Sequence, residues 1–187
     1  GNSFMNGYRA ARIEEKFKGL SKIDFQLVQD LHMDFHSIPG KRIKDGLIFG
    51  LRTAKPKAQK LIDILDKWDN NLDEESVGGT VYQVFLFRLI KNIVQPHLGQ
   101  TLTAKYLGIG DHPLLLPVNE LLGHSTEAVI RIFQNSDSKW VPSGKSALSL
   151  IEKSLVESCL WIEENMGYEA SGWKWGNIHQ AEFQHSL

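Results

Sequence analysis

The chain has 187 residues, of which 42% are hydrophobic and 23% charged, the balance of one soluble globular domain. Twenty-one Lys and Arg residues stand against 22 Asp and Glu, a net charge of −1, without the basic surplus that a general nucleic-acid binder needs. A single cysteine, Cys159, excludes an internal disulfide and an all-cysteine zinc site, and no apolar run reaches the roughly 18–20 residues that cross a bilayer.

Hydrophobic steps of three and four residues dominate the chain. Ala10, Ile13 and Phe17 predict a helix over Tyr8–Lys18, stopped by Gly19. Ser21 and Asp24 have the form of a capping box before a stripe of Ile23, Leu27, Leu31 and Phe35. Further helices are expected over Ile43–Arg52 and over Pro56–Trp68, with Pro56 in the first turn. Residues 69–76 read as a polar turn. Val77 to Val94 is apolar on every face, which predicts a central helix covered on all sides. Pro96 to Pro117 reads as irregular or as short helical pieces, Ser125 as the cap of Thr126–Gln134, and Ser136–Pro142 as a loop. The last long helix is expected from about Gly144 to Met166, on a stripe of Leu148, Ile151, Leu155, Cys159 and Ile162, with Gly167 after its end. The stretch 171–187 is an aromatic, irregular tail. These features describe one mainly α-helical domain over 1–187, an irregular multi-helix arrangement.

Local motifs do not build a self-contained active site. Ser143-Gly144-Lys145-Ser146 ends like a phosphate-binding loop, but Lys139 stands where its first glycine belongs, so Ser143 reads as a helix cap. His32 and His36, four apart, suit one helical face, yet Met33 replaces the glutamate of the zinc-protease pattern. Asp69, Asn71 and Asp73 imitate the start of a calcium loop, with Glu74 at the turn glycine and Thr80 at the closing acid. Gly108 to Asp111 is too short to claim a phosphate. Cys159 falls mid-stripe and reads as a small buried hydrophobe.

Three blocks carry a resemblance. The first is Tyr8-Arg9-Ala10-Ala11-Arg12-Ile13 followed by Gln29-Asp30. The second is Leu65-Asp66-Lys67-Trp68-Asp69, then Asp73 to Ser76 and Tyr82. The third is Trp173-Lys174-Trp175-Gly176-Asn177-Ile178-His179, followed by Phe183-Gln184-His185-Ser186-Leu187. In this order they resemble the penicillin acylase (penicillin amidase) family of N-terminal nucleophile hydrolases. The resemblance implies that the chain is the helical portion of a large β subunit with an αββα fold, whose C-terminal strands would follow the tail. In that family a precursor cuts itself, and the new N-terminal Ser, Thr or Cys attacks an amide with its own α-amino group as base. The nucleophile, the oxyanion-hole asparagine and a calcium-binding aspartate would all precede Tyr8, leaving no metal ligand within the chain. Ser3 is not in the nucleophile's context.

Of the family's site residues, Arg9 aligns with an arginine beside the oxyanion asparagine, which it would support. Arg12 reads as structural. Trp173, Trp175, Gly176 and His179 form the tail signature and are expected to pack it onto the helices. The implied parent cleaves acyl amides, such as β-lactam side chains or acyl-homoserine lactones, and the chain alone would be inactive. Its implied partners are the small subunit and catalytic sheets of the same precursor, with no nucleic acid or membrane; faces that met those sheets would promote self-association. The alternative is a free-standing helical interaction module. Many members of the family are exported, and the sequence assigns no compartment.

Overall fold

Seven α-helices and no strand make up the described residues of the computed structural model, which are 7–107, 120–135, 137–142 and 144–181. Of these residues, 69% are helical. The organising element is α5, Val77–Tyr106, capped by Ser76, whose Oγ accepts the Gly79 N–H at 3.0 Å. Its buried residues Val81, Tyr82, Phe85, Leu89, Ile90 and Ile93 occupy about half of its circumference. On the other side Phe87 is exposed and Val84 and Arg88 are only partly buried, so the helix is not covered on every face as its all-round apolar pattern predicts. α4 (Pro56–Lys67) and α7 (Ala147–Met166) pack on it and on each other. Ala58, Leu61, Ile62 and Leu65 come from α4, and Ile151, Leu155, Cys159 and Ile162 from α7. Each large apolar side chain removed from water there is worth about 1.5–3 kcal/mol.

The remaining helices form a looser flank. α1 (Tyr8–Phe17) and α2 (Phe25–His32) contain no buried residue. Phe25 is 77% exposed and Met33 67%, and the apolar stripe through Ile13, Ile23 and Phe35 therefore meets no core within the described chain. α3 (Ile38–Ile43) continues into a π-helical turn, Lys44–Ile48, and α6 (Glu120–Gln134) lies near the α3 side of α5.

Several expected boundaries move. Asp24, not Ser21, caps α2, accepting the Leu27 N–H at 2.8 Å, because it immediately precedes the helix and its carboxylate reaches the third N–H. The helix expected from Ile43 begins five residues earlier at Ile38, where Ser37 Oγ accepts from Gly40 N at 3.0 Å. Ser125 is buried inside α6 rather than capping it. Ser146 caps α7 through Ser149 N, so the helix starts after Gly144, and Leu148 is exposed. Pro96 does not end α5: the helix runs on to Tyr106 and breaks at Gly99, which has φ +71°. Ser143, Gly108 to Asp111 and Phe183 to Leu187 lie outside the described residues.

Trp68 closes α4 and is wedged between two glycines. A Cβ on Gly78 would lie 2.3 Å from Trp68 Cγ, and one on Gly40 would lie 2.6 Å from its Cη2. The ring stacks on Tyr82 with centroids 5.3 Å apart. Gly78→Ala should therefore destabilise the fold by about 3 kcal/mol, as overpacking against a fixed ring does. Gly46→Ala, with open space around the added methyl, should leave stability unchanged or raise it by about 0.4–1 kcal/mol. Urea midpoints of the two variants check this; equal midpoints would mean that the Trp68 contact is not limiting.

Candidate functional site

The second and third sequence blocks, far apart in the chain, meet at the turn 69–76, and the stretch that follows the first block pairs with the same turn. Trp68 Nε1–H donates to Asn71 O at 2.8 Å and to Ser76 Oγ at 3.0 Å, and Ser76 Oγ–H donates to Asn71 O at 2.7 Å. The second block is thus a closed hydrogen-bonded loop that ends in the cap of α5. The third block docks on that loop by its backbone. Trp175 N–H donates to Ser76 O at 3.1 Å and Gly176 N–H to Glu74 O at 2.8 Å. Gly176 has to be small: a Cβ there would lie 3.0 Å from Glu74 Cβ.

Trp173 is fully buried, donates through Nε1 to Gly167 O at 2.8 Å, and carries Lys60 Nζ 4.3 Å above its ring. Trp175 stacks on His179 at 4.8 Å and 15°. Of the tail signature, Trp173 is thus built into the core, Trp175 and Gly176 lie on the turn, and His179 is exposed.

The stretch following the first block reaches the same turn. His36 and Asn71 form an isolated antiparallel bridge; Ser37 N–H donates to Asn70 O at 2.8 Å and Leu72 N–H to Phe35 O at 2.9 Å. Consequently His36 is not on the face of α2, which ends at His32, and the two histidines do not form a helical metal pair. No group of three or more metal-binding side chains occurs among the described residues. The calcium-like run is an Asx turn, with Asp69 accepting from Asn71 N and Nδ2 at 3.0 and 2.7 Å, and Asp73 Oδ1 from Glu75 N at 3.0 Å.

Within the first block, two residues anchor α1 and one has no partner among the described residues. Arg12 grips Asp34 with two bonds, Nε to Oδ2 at 2.9 Å and Nη2 to Oδ1 at 3.2 Å, and gives Nη1 to Glu15 at 2.9 Å. Burial alone would raise the Asp34 pKa, but Arg12, the His36 N–H and Lys16 outweigh it and bring it down to about 2. Tyr8 donates its hydroxyl to Glu127 of α6, which Arg42 also holds at 2.9 Å. Burial, with that acceptor, pushes the Tyr8 hydroxyl above its usual range.

Arg9 is exposed and has no hydrogen bond or ion pair among the described residues. It lines a cavity of about 440 Å³ together with Tyr8, Arg12, His32, Asp34 and His36. The structure does not bring Arg9 to the tail signature, which borders a different groove with Met33, Phe35 and Asp73. Asp34, Glu127 and Arg42 carry no sequence signal, because their partners are 22, 119 and 85 residues away. Cys159 is buried, and burial followed by the nearby Glu163 carboxylate pushes its thiol up to about 11, the state of an inert thiol.

The Asp34 carboxylate should leave a mark in the pH dependence of stability. Its folded pKa lies below the ordinary carboxylate value, so its contribution is complete above about pH 4 and is lost as pH falls toward 2. Asp34→Asn should remove about 1–2 kcal/mol at pH 7 and close most of that gap to the native chain at pH 2. Urea titrations at the two pH values measure it, and a gap independent of pH would assign the loss to packing instead.

The penicillin amidase family profile matches residues 1–187, the whole chain. No curated protein matches the sequence. The profile spans all three blocks, and hydrogen bonds join the second block to the third, so the agreement does not rest on one local motif. The chain belongs to the penicillin amidase family.

Proposed function

We propose that residues 1–187 are the helical portion of the large subunit of an N-terminal nucleophile amidohydrolase, and that Arg9 is its contribution to the active site. The observation that carries this reading is the family match over the whole chain. The state of the first block supports it further. Asp34 and Glu15 take three of the Arg12 donors, while Arg9, three residues earlier, has no partner among the described residues and stands at the edge of a cavity. The absence of any buried residue in α1 and α2 supports a role in which these helices cover another part of the same precursor. The same exposed apolar side chains would drive self-association of the isolated chain.

In this reading the substrate is an acyl amide, either a β-lactam side-chain amide or an acyl-homoserine lactone. The nucleophile, a Ser, Thr or Cys, comes from outside these residues, as do the oxyanion asparagine and any calcium. Asp69 and Asp73 do not fit calcium, since Glu74 stands at the turn glycine and Thr80 at the closing acid, and no group of three or more metal-binding side chains occurs among the described residues. Arg9 acts by orienting the oxyanion donor and favouring the negative charge that develops on the tetrahedral intermediate. It is not itself the donor.

Steady-state kinetics test the proposal. The 187-residue chain should give no turnover of acyl-amide substrates, because nucleophile and oxyanion donor together account for many orders of magnitude in rate. In the parent enzyme Arg9→Ala should lower kcat about 10-fold or more with a smaller change in KM, since the effect lies in the transition state. An unchanged kcat would reduce Arg9 to a surface residue of α1, and turnover by the chain alone would overturn the division of labour.

A further inference from the structure

A second arginine without a partner among the described residues borders an apolar pocket that no residue of the first block lines. Gln83, Val84, Phe87 and Arg88 lie at steps of one and four on one side of α5, and Trp161 of α7 and Trp175 of the tail complete a cavity of about 290 Å³. Its floor is preorganised. Trp175 is held by the Ser76 carbonyl and by stacking on His179, and Trp161 is fixed on the helix that packs along α5.

Arg88 is half-buried and has no hydrogen bond, ion pair or ring contact among the described residues. The carboxylate one turn before Trp161 is not available to it. Glu157 accepts from Asn92 Nδ2 at 2.7 Å and pairs with Lys153 at 3.2 Å. A guanidinium removed in part from water without a counter-charge carries an uncompensated desolvation cost, which an anion would offset.

We propose that this pocket binds a small amphipathic carboxylate, its aromatic or short acyl body between Trp161, Trp175 and Phe87 and its carboxylate on Arg88. The volume sits at the lower limit of ligand cavities, which fits a body of one ring or a short chain and not a larger molecule. A planar fork of donors suits a carboxylate through two parallel hydrogen bonds. The inference stands on this pocket alone and does not depend on the hydrolase reading.

The test uses the full chain and three probes of equal shape: 4-phenylbutanoate, its neutral amide and 4-phenylbutylammonium. Proton–nitrogen spectra follow the indole N–H groups of the five tryptophans, identified by single Trp→Phe substitutions. The acid should shift the Trp161 and Trp175 signals saturably, with a Kd on the order of 1 mM. The amide and the ammonium should bind about tenfold more weakly or less, and Arg88→Gln should weaken the acid by a similar factor while leaving the amide unchanged. Equal binding of all three probes to the native chain would overturn the proposal without recourse to any variant. So would shifts confined to Trp68, Trp140 or Trp173, or acid binding unaltered in a folded Arg88→Gln chain.

Discussion

The indole N–H of Trp68 is the point on which the architecture turns. It is buried at the end of α4 and must find acceptors there, because an unpaired buried donor costs about 1–3 kcal/mol. It finds the Asn71 carbonyl and the Ser76 hydroxyl, at 2.8 and 3.0 Å. Satisfying them closes the turn after α4 and brings Ser76 to the start of α5, where the same oxygen accepts the Gly79 N–H. The direction of the central helix relative to α4 therefore follows from one hydrogen-bond requirement. Everything that docks on the turn inherits that geometry: the strand-like pairing of His36 with Asn71, and the tail held on the Ser76 and Glu74 carbonyls.

Glycine placement is the counterpart of that constraint. Gly78 and Gly40 let two helices approach the faces of the ring, and Gly176 lets the tail backbone approach Glu74. None of the three needs a positive φ; each is where a side chain would displace a neighbour. Trp68, Ser76 and Gly176 stand in the blocks that marked the family, which gives those blocks a structural meaning: they specify how the tail and the turn lock together.

Periodicity made the central helices legible because their apolar residues answer to one local rule, burial on α5. The stripe of Leu61, Ile62 and Leu65 and that of Ile151, Leu155, Cys159 and Ile162 are buried where the pattern puts them. The same rule applied to Ile13, Ile23 and Phe35 finds the helices but not their packing partner, since periodicity reports an apolar face and says nothing of what covers it. Cap positions were less legible. Ser21 and Asp24 both suit a helix start, and only the chain path decides that Asp24 reaches Leu27 N. Pro96 misled for another reason: a long buried helix can tolerate a proline when packing on its flanks outweighs the lost N–H, and the break falls three residues later at Gly99. The ion pair of Arg12 and the hydrogen bond of Tyr8 were not legible at all, because nothing local links residue 12 to 34 or residue 8 to 127.

Those pairs nevertheless decide what Arg9 can do. A charged group can act on a reacting centre only if its backbone is held and its donors are free, because donors already spent on a structural partner cannot follow charge as it develops. Tyr8 and Arg12 stand one helical turn apart and are tied to different elements, to Glu127 on α6 and to Asp34 before the bridge. With both ends of that turn fixed, α1 cannot rotate or slide without breaking two buried or half-buried contacts at once. Arg9 lies between them on the same turn, so its Cα is fixed while its guanidinium has no partner among the described residues. Exchanging the roles of Arg9 and Arg12 would fail on geometry, since only position 12 faces the Asp34 carboxylate with both nitrogens of its fork. The division between one engaged arginine and one without a partner among the described residues is thus imposed by the clamp on α1.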